Sequence, residues 1–306
     1  GVRTDGAGRP TDADGAVDPF EGWEIVQNGD DRFRGHVAVG TTPAGTPVRL
    51  HPAWVAADFR VLLGEVSWHY FAGYGGGRKL VFPGLADPAG VAANHRRAVA
   101  LSAAAAADPG RALLEEITWR PECGPGQLEG NPVHADLEAA AALAPPHWGL
   151  TLVECPPRDP DPAVPERFAP RIEAGPYPGS FEAAAAAFER AHRVALTTAP
   201  TALVADGGGR PRDTTFLQAH KSLQHALRFL APGGKLLLFA DCGEGLGSAM
   251  LARYAADPPN FRPFAGGAED PQTVLHIQTL IALRRAARAA DVGLCSRLPA
   301  PVAAAL

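Results

Sequence analysis

The chain has 306 residues, 46% hydrophobic and 20% charged, a globular balance with enough length for roughly two domains. A formal charge of -5 with no basic stripe argues against a nucleic-acid partner. Apolar runs such as Ala103 to Ala107 are too short and too weakly apolar to span a membrane, and Gly1 to Asp18 shows no signal-peptide core, so a cytoplasmic protein is expected.

Residues 1 to 20 read as loop. Trp23 to Val26 and Val37 to Val39 are strand candidates, and Gly40 to Thr46 is a tight connection into a partner strand at Pro47 to Leu50. Ala53 to Ala57 is a helical turn. Phe59 to Val66 reads as a buried strand that delivers His69 at its C-terminal end, where open α/β sheets place ligands. Asp87-Pro88 is an N-cap with proline at the first helical position, opening a helix to about Ala107. Arg111 to Ile117 is expected as a short helix and Glu122 to Asn131 as loop. A further helix runs to Leu143, and Leu150 to Glu154 forms a strand. The proline-rich stretch 156 to 178 is expected to be a stiff surface linker, and Ser180 to His192 an alanine-rich helix. From Val194 the pattern restarts with a strand at Leu203 to Ala205 and a glycine loop. A helix follows from Thr214 to Leu230 with Asp213 as N-cap, then a buried strand at Lys235 to Ala240. A helix near Val274 to Ala290 and a strand at Val292 to Cys295 complete a second βαβ-type unit. The expected fold class is α/β. Its two α/β domains are an N-terminal one over 1–193 and a C-terminal one over 194–306, with an active-site cleft between them.

The stretch from His69 to His95 holds the chemistry. It reads His69-Tyr-Phe-Ala-Gly73-Tyr74-Gly75-Gly76-Gly77-Arg78-Lys79, then Pro83-Gly84 and Asn94-His95. A glycine loop lets the backbone approach a ligand closely, and an amine directly after it can reach the same ligand. Lysine occurs only at Lys79, Lys221 and Lys235 among 28 basic residues, so an amine at this place in an arginine-writing chain is notable: an amine can be a nucleophile and a guanidinium cannot. The loop is neither a Walker motif nor G-x-G-x-x-G. Cys123, Cys155, Cys242 and Cys295 lie far apart, which excludes a zinc ribbon and gives no disulfide framework.

In residue type and spacing, His-x-x-x-Gly-Tyr-x-Gly-Gly-x-Lys…Pro-Gly…Asn-His resembles the nickel-dependent lactate racemase family. The likeness extends to Gly40-Thr-Thr…Gly45-Thr46, to Asn131-Pro132-x-His134-x-Asp136 and to Gly208-Gly209…Gln218-x-x-Lys221. It implies a racemase or epimerase of small 2-hydroxy acids, served by cofactor-maturation enzymes. The implied cofactor is a nickel-pincer nucleotide, the nickel complex of pyridinium-3,5-bisthiocarboxylic acid mononucleotide, covalently held on Lys79 beside Gly76 and Gly77. His95 is implied as the nickel ligand and His69 as the proton-transfer base. Gln218 and Lys221 are implied to reach the substrate across the cleft; their i, i+3 spacing puts both on one helix face. Gly8-Arg9-Pro10 aligns with a family segment whose catalytic His would fall at Gly8. The family's upstream strand and its Asp-x-x-Arg have no counterpart here, so the resemblance implies a missing N-terminal segment. Two other readings stay open: a catalytically impaired relative that still binds a nucleotide-like cofactor, and a Schiff-base lysine enzyme of the PLP type. His36, His51, His134, His147, His192, His220, His225 and His276 show no pairing as ligands.

Overall fold

A computed structural model of the protein describes residues 22–28, 35–154, 170–264 and 275–306, together with the backbone of 3–4 and 10–11. The strands β1 (Arg3–Thr4) and β2 (Pro10–Thr11) pair antiparallel. Residues 23–27 belong to no helix or strand, so the strand expected at Trp23 to Val26 does not form. β3 (Val37–Thr41) and β4 (Pro47–Leu50) form the expected hairpin, followed by α1 (Pro52–Ala56).

β5 (Val61–Glu65) lies at the edge of a three-stranded sheet. It is not the buried strand expected, since Leu63 is 76% exposed. The chain then makes a tight hairpin of β6 (Trp68–His69) and β7 (Gly73–Tyr74), so His69 stands on that hairpin and not at the end of β5. α2 (Arg78–Val81) closes the glycine loop, and α3 (Pro88–His95) starts at Asp87, whose side chain accepts from Gly90 N.

The helix expected to run on to Ala107 breaks after His95. A 3-10 turn at Arg96–Ala98 leads into β8 (Val99–Leu101), and α4 (Ala103–Ala107) follows. Pairing wins over alanine's helix propensity here: Val99, Ala100 and Leu101 align with Trp119, Thr118 and Ile117 of β9 (Ile117–Trp119), and the helix expected at Arg111 to Ile117 is reduced to 3-10 turns. α5 (Pro132–Ala142) is capped by Asn131.

The central strand of the first sheet is β10 (Trp148–Val153), parallel to β5 and antiparallel to β11 (Arg171–Pro176). The second half of the proline-rich stretch is therefore a sheet strand and not a linker; residues 155–169 lie outside the described residues. Proline is tolerated because β11 is an edge strand. α6 (Gly179–His192) covers one sheet face through Phe181, Ala184 and Phe188.

The second sheet is parallel, in the order β12 (Ala202–Asp206), β13 (Lys235–Phe239), β14 (Asp291–Cys295). β13 is buried on one face only: Leu236 and Leu238 point in, while Leu237 and Phe239 are exposed. α7 (Phe216–Ala226), α8 (Ala249–Ala256), α9 (Ile277–Ala289) and α10 (Ala300–Ala305) complete this part. Thr215, not Asp213, precedes the first turn of α7; the Asp213 carboxylate instead accepts from Asp241 N at 3.1 Å.

The apolar cores cross the midpoint of the chain. Val99, Leu114 and Ile117 pack with Leu236, Leu238 and Leu280 in one cluster, while Ala282 of α9 belongs to the cluster of Leu50, Phe71, Phe82 and Leu137. Among the described residues no helix is long and apolar enough to cross a membrane.

Candidate active site

The glycines of the loop answer first to chain packing. Gly73, Gly76 and Gly77 take φ of 79°, 75° and 54°, the left-handed region that side chains disfavour. A Cβ at Gly76 would lie 2.3 Å from the Glu65 carbonyl oxygen, and one at Gly77 would lie 2.5 Å from the Phe181 ring. The loop is thus pressed against β5 and α6, and α2 begins with its side chains fixed in direction. Arg78 turns inward and is fully buried: its Nη2 donates to Ala72 O at 2.7 Å, its Nε is 3.5 Å from Glu138 Oε1, and its guanidinium lies over the Phe181 ring. Burial pushes its pKa down to about 10 against the pull of Glu138. Arg78 thus clamps the loop to α5 and α6, a role that nothing in its sequence context sets apart from the surface arginines.

With Arg78 turned in, Lys79 faces the other way. Three predicted site residues meet around one buried ring, Phe71. The His69 ring is 4.5 Å from it and the His95 ring 4.9 Å, both edge-on, and Lys79 Nζ is 5.6 Å from its centroid. His95 arrives there because the end of α3 is fastened by a buried carboxylate. Asp136 accepts from Thr42 Oγ1 at 2.5 Å, Thr46 Oγ1 at 2.7 Å and Asn94 Nδ2 at 2.9 Å, and pairs with Arg97 Nε at 3.1 Å. Those threonines, Asn94 and Asp136 come from three separate motif segments, which the network ties together.

The C-terminal part supplies the opposite wall. A cavity of about 130 Å³ is lined by His69, Tyr70, Phe71 and His95, by Leu217, Gln218, His220 and Lys221 of α7, and by His276, Gln278 and Thr279 at the start of α9. The structure thus brings Gln218 and Lys221 to the same cavity as His69 and His95. Lys221 Nζ donates to Gln218 Oε1 at 2.6 Å. The Tyr70 hydroxyl and Thr279 Oγ1, 2.9 Å apart, join the two walls. Sequence reasoning missed His220, His276 and Gln278, which stand in no motif. His276 takes a left-handed φ of 75° and its Nδ1 is 3.0 Å from Ser248 Oγ.

Every titratable group here is pushed toward its neutral form. The Lys79 amine falls to about 7, mainly by burial, then by the charges of Arg78 and Lys221. His69 and His95 are held well below the usual imidazole range, each mainly by burial and next by Lys79. Burial also lowers Lys221, and takes His220 to about 3 and His276 to about 4. No carboxylate lines the cavity among the described residues. The cavity wall therefore joins the Lys221 amine to neutral imidazoles and carries no negative charge, which suits an anionic group at Lys221.

Residues 20–107 match the family described as Lactate racemase N-terminal domain. That match covers the first part of the chain, including the loop and helix that carry His69, Lys79 and His95. The chain is similar to the lactate racemase of Thermoanaerobacterium thermosaccharolyticum, 26% identical over 240 residues, covering 78% of this chain and 47% of that protein. It is likewise similar to the lactate racemase of Lactiplantibacillus plantarum, 25% identical over 251 residues, covering 79% of this chain and 50% of that one. The apoprotein structure of the Thermoanaerobacterium thermosaccharolyticum lactate racemase shares the fold: TM-score 0.67 at 22% identity, over 89% of this chain and 59% of that one. The chain spans about half the length of the curated lactate racemases it matches. Gly8, expected from the resemblance to stand where that family has a catalytic His, lies outside the described residues.

Proposed function

We propose that this chain carries the active site of a racemase or epimerase of small 2-hydroxy acids, in the cleft between residues 1–193 and 194–306. The observation that carries the reading is the meeting of Lys79, His69 and His95 around Phe71, in reach of Lys221 and Gln218. The residues fit a lysine-tethered nickel-pincer nucleotide. At pKa about 7 roughly half of the Lys79 amine is unprotonated at neutral pH and able to form a covalent bond. Burial holds His95 toward its neutral form, the form in which an imidazole ligates a metal. Among the described residues no three His, Cys, Asp or Glu side chains gather as a metal cage, so a metal here would take further ligands from the cofactor. When bound, this group supplies hydride acceptance and return at the substrate's α carbon.

The protein's own part is binding and proton transfer. Lys221 offers its ammonium to the substrate carboxylate, with Gln218 steadying it. His69 takes the proton of the 2-hydroxyl. Its Nδ1 accepts from Ala72 N across a long 3.3 Å contact, so the neutral ring carries its proton on Nε2. Acting as a base at Nε2 requires the other tautomer, with the proton on Nδ1, and that tautomer gives up the bond from Ala72 N. The Lys221 ammonium, in a wall with no carboxylate, lowers the cost of the alkoxide-like charge that develops as this proton leaves.

The test is peptide mass mapping of the protein made with nickel and cofactor-maturation enzymes. A nucleotide adduct on Lys79 is expected, lost in Lys79→Arg; active protein with an unmodified Lys79 refutes the reading. In His95→Ala the adduct should remain while nickel and activity are lost. The Lys79 amine would equally suit a PLP-type Schiff base, for which the purified protein would show an imine absorbance and no nickel.

A further inference from the structure

His69 belongs to the N-terminal wall of the cavity, and the C-terminal wall carries an imidazole to which no role has been given, His276 just before α9. Its backbone holds a left-handed φ of 75°, a conformation that persists in a non-glycine residue only where its surroundings enforce it. Here the first turn of α9 enforces it: His276 O accepts from Thr279 N at 3.0 Å and from Leu280 N at 3.2 Å. Thr279 is in turn bonded to Tyr70, the neighbour of His69. The His276 ring is near enough to His95, His220 and Lys221, all lining the same cavity, for their charges to act on one another. The ring is also held from behind. Its Nδ1 is 3.0 Å from Ser248 Oγ, and Ser248 is itself fixed as the cap of α8, accepting from Leu251 N at 3.3 Å. A hydroxyl oxygen has a second lone pair to offer, so Nδ1 can carry the ring's proton and donate it there. Nε2 is then a lone pair. It has no hydrogen-bond partner among the described residues and, unlike His220 Nε2, is not closed off from the surface.

Racemisation has a use for a second base on the other wall. Two mirror-image acids, held with the carboxylate at Lys221 and the α hydrogen pointing the same way, differ by an exchange of the hydroxyl with the carbon chain. A hydroxyl that faces one wall in one enantiomer faces the other wall in its mirror image, and one positioned imidazole cannot reach both. We propose, resting on the hydroxy-acid reading above, that His276 Nε2 is the proton-transfer base for the enantiomer whose hydroxyl turns away from His69, with Ser248 positioning its ring. The hydroxyl proton goes to His276 Nε2 as the α hydrogen leaves with its electron pair to the pyridinium of the cofactor. The 2-keto acid so formed turns about its carboxylate and regains that hydrogen and electron pair on its other face. Its oxygen receives a proton through His69, and the proton on His276 returns to water. The same steps in reverse serve the other enantiomer.

The experiment follows the cofactor absorbance on rapid mixing of each lactate enantiomer with the chain made with nickel and the maturation enzymes. Steady-state rates do not separate the bases, because equal free energies of the enantiomers tie kcat/KM in the two directions together; the single reduction step does. His276→Asn removes the base and keeps a residue that tolerates the left-handed backbone. Reduction by one enantiomer should slow on the order of 10²–10⁴-fold, while reduction by the other stays close to the parent rate. Ser248→Ala should slow the same enantiomer alone, by a smaller factor, and carries the test should the first variant fail to fold. Two readouts are independent of activity. His276→Asn should keep the nickel content and the Lys79 adduct of the parent, and nitrogen NMR of the parent should show His276 protonated at Nδ1, with the Nε2 signal moving when lactate is added. Slowing of both enantiomers alike or of neither, loss of nickel from His276→Asn, or a proton resting on Nε2 would each overturn the proposal and leave the hydroxy-acid reading standing. A parent protein whose cofactor absorbance responds to neither enantiomer would sink both.

Discussion

Lys79 shows how one side chain reports on its surroundings. Its amine is held near pKa 7 in the fold, against about 10.5 in the unfolded chain. Between those values the unfolded chain holds a proton that the folded chain has released. Stability of the unloaded protein should therefore rise with pH from about 7 to about 10, by up to about 1.4 kcal/mol per pH unit where the difference is one full proton. The penalty is complete below pH 7 and is relieved above it. Lys79→Met should flatten this slope and raise stability at pH 7, because an apolar chain of similar length needs no desolvation of charge. Urea unfolding midpoints from pH 7 to 10 measure it. A slope unchanged in the variant would mean that Lys221, also lowered by burial, or another group sets the pH dependence.

At the scale of elements, the helix that carries His95 depends on the Asp136 network more than on its own sequence. α3 spans eight residues, too short to hold alone, and ends in a 3-10 turn. Removing the carboxylate strands Arg97, Asn94 and two threonine hydroxyls together. Asp136→Ala is expected to cost about 3–5 kcal/mol. It should also loosen nickel retention through His95, seen as faster metal loss to a chelator at temperatures where the variant is still folded. A loss below about 1 kcal/mol would show that the network is a solvated cluster of little weight.

The same scale shows what the sequence could and could not reveal. His69, Lys79 and His95 were legible because the loop and one short helix fix their places locally, at motif spacing. The turn residues and the Asp87-Pro88 start of α3 read correctly for the same reason. β8 and β9 were not legible: Val99 to Leu101 sits beside an alanine tract, and only pairing with Ile117 to Trp119 makes it a strand. Arg78 looks like any arginine until the hairpin and α6 enclose it. His220 and Gln278 acquire meaning only when α7 and α9 close over Tyr70, a contact 209 residues apart in the chain at its Tyr70–Thr279 bond.

For the whole molecule, that closure has a thermodynamic consequence. The C-terminal cluster takes in Val99, Ala105, Leu114 and Ile117, and α9 returns Ala282 to the cluster of Phe71 and Leu137. Arg284 Nη2 donates to Glu115 Oε1 at 2.5 Å, and the Arg285 guanidinium stands 5.2 Å from the Trp119 ring. Neither part can lose its core without exposing apolar surface of the other, so the chain should unfold as one cooperative unit. All five tryptophans precede Val194, so fluorescence reports the N-terminal part alone, whereas far-UV circular dichroism also sees α7, α8 and α9. The two signals should give coincident urea transitions. Ala282→Glu places a carboxylate at a fully buried position on α9 inside the N-terminal cluster, and should lower both midpoints together. If fluorescence instead stays put while the dichroism transition moves, the parts are separable. The walls of the cavity would then be set by docking, and the hydrogen bond between Tyr70 and Thr279 would mark a hinge where a fixed seam is expected.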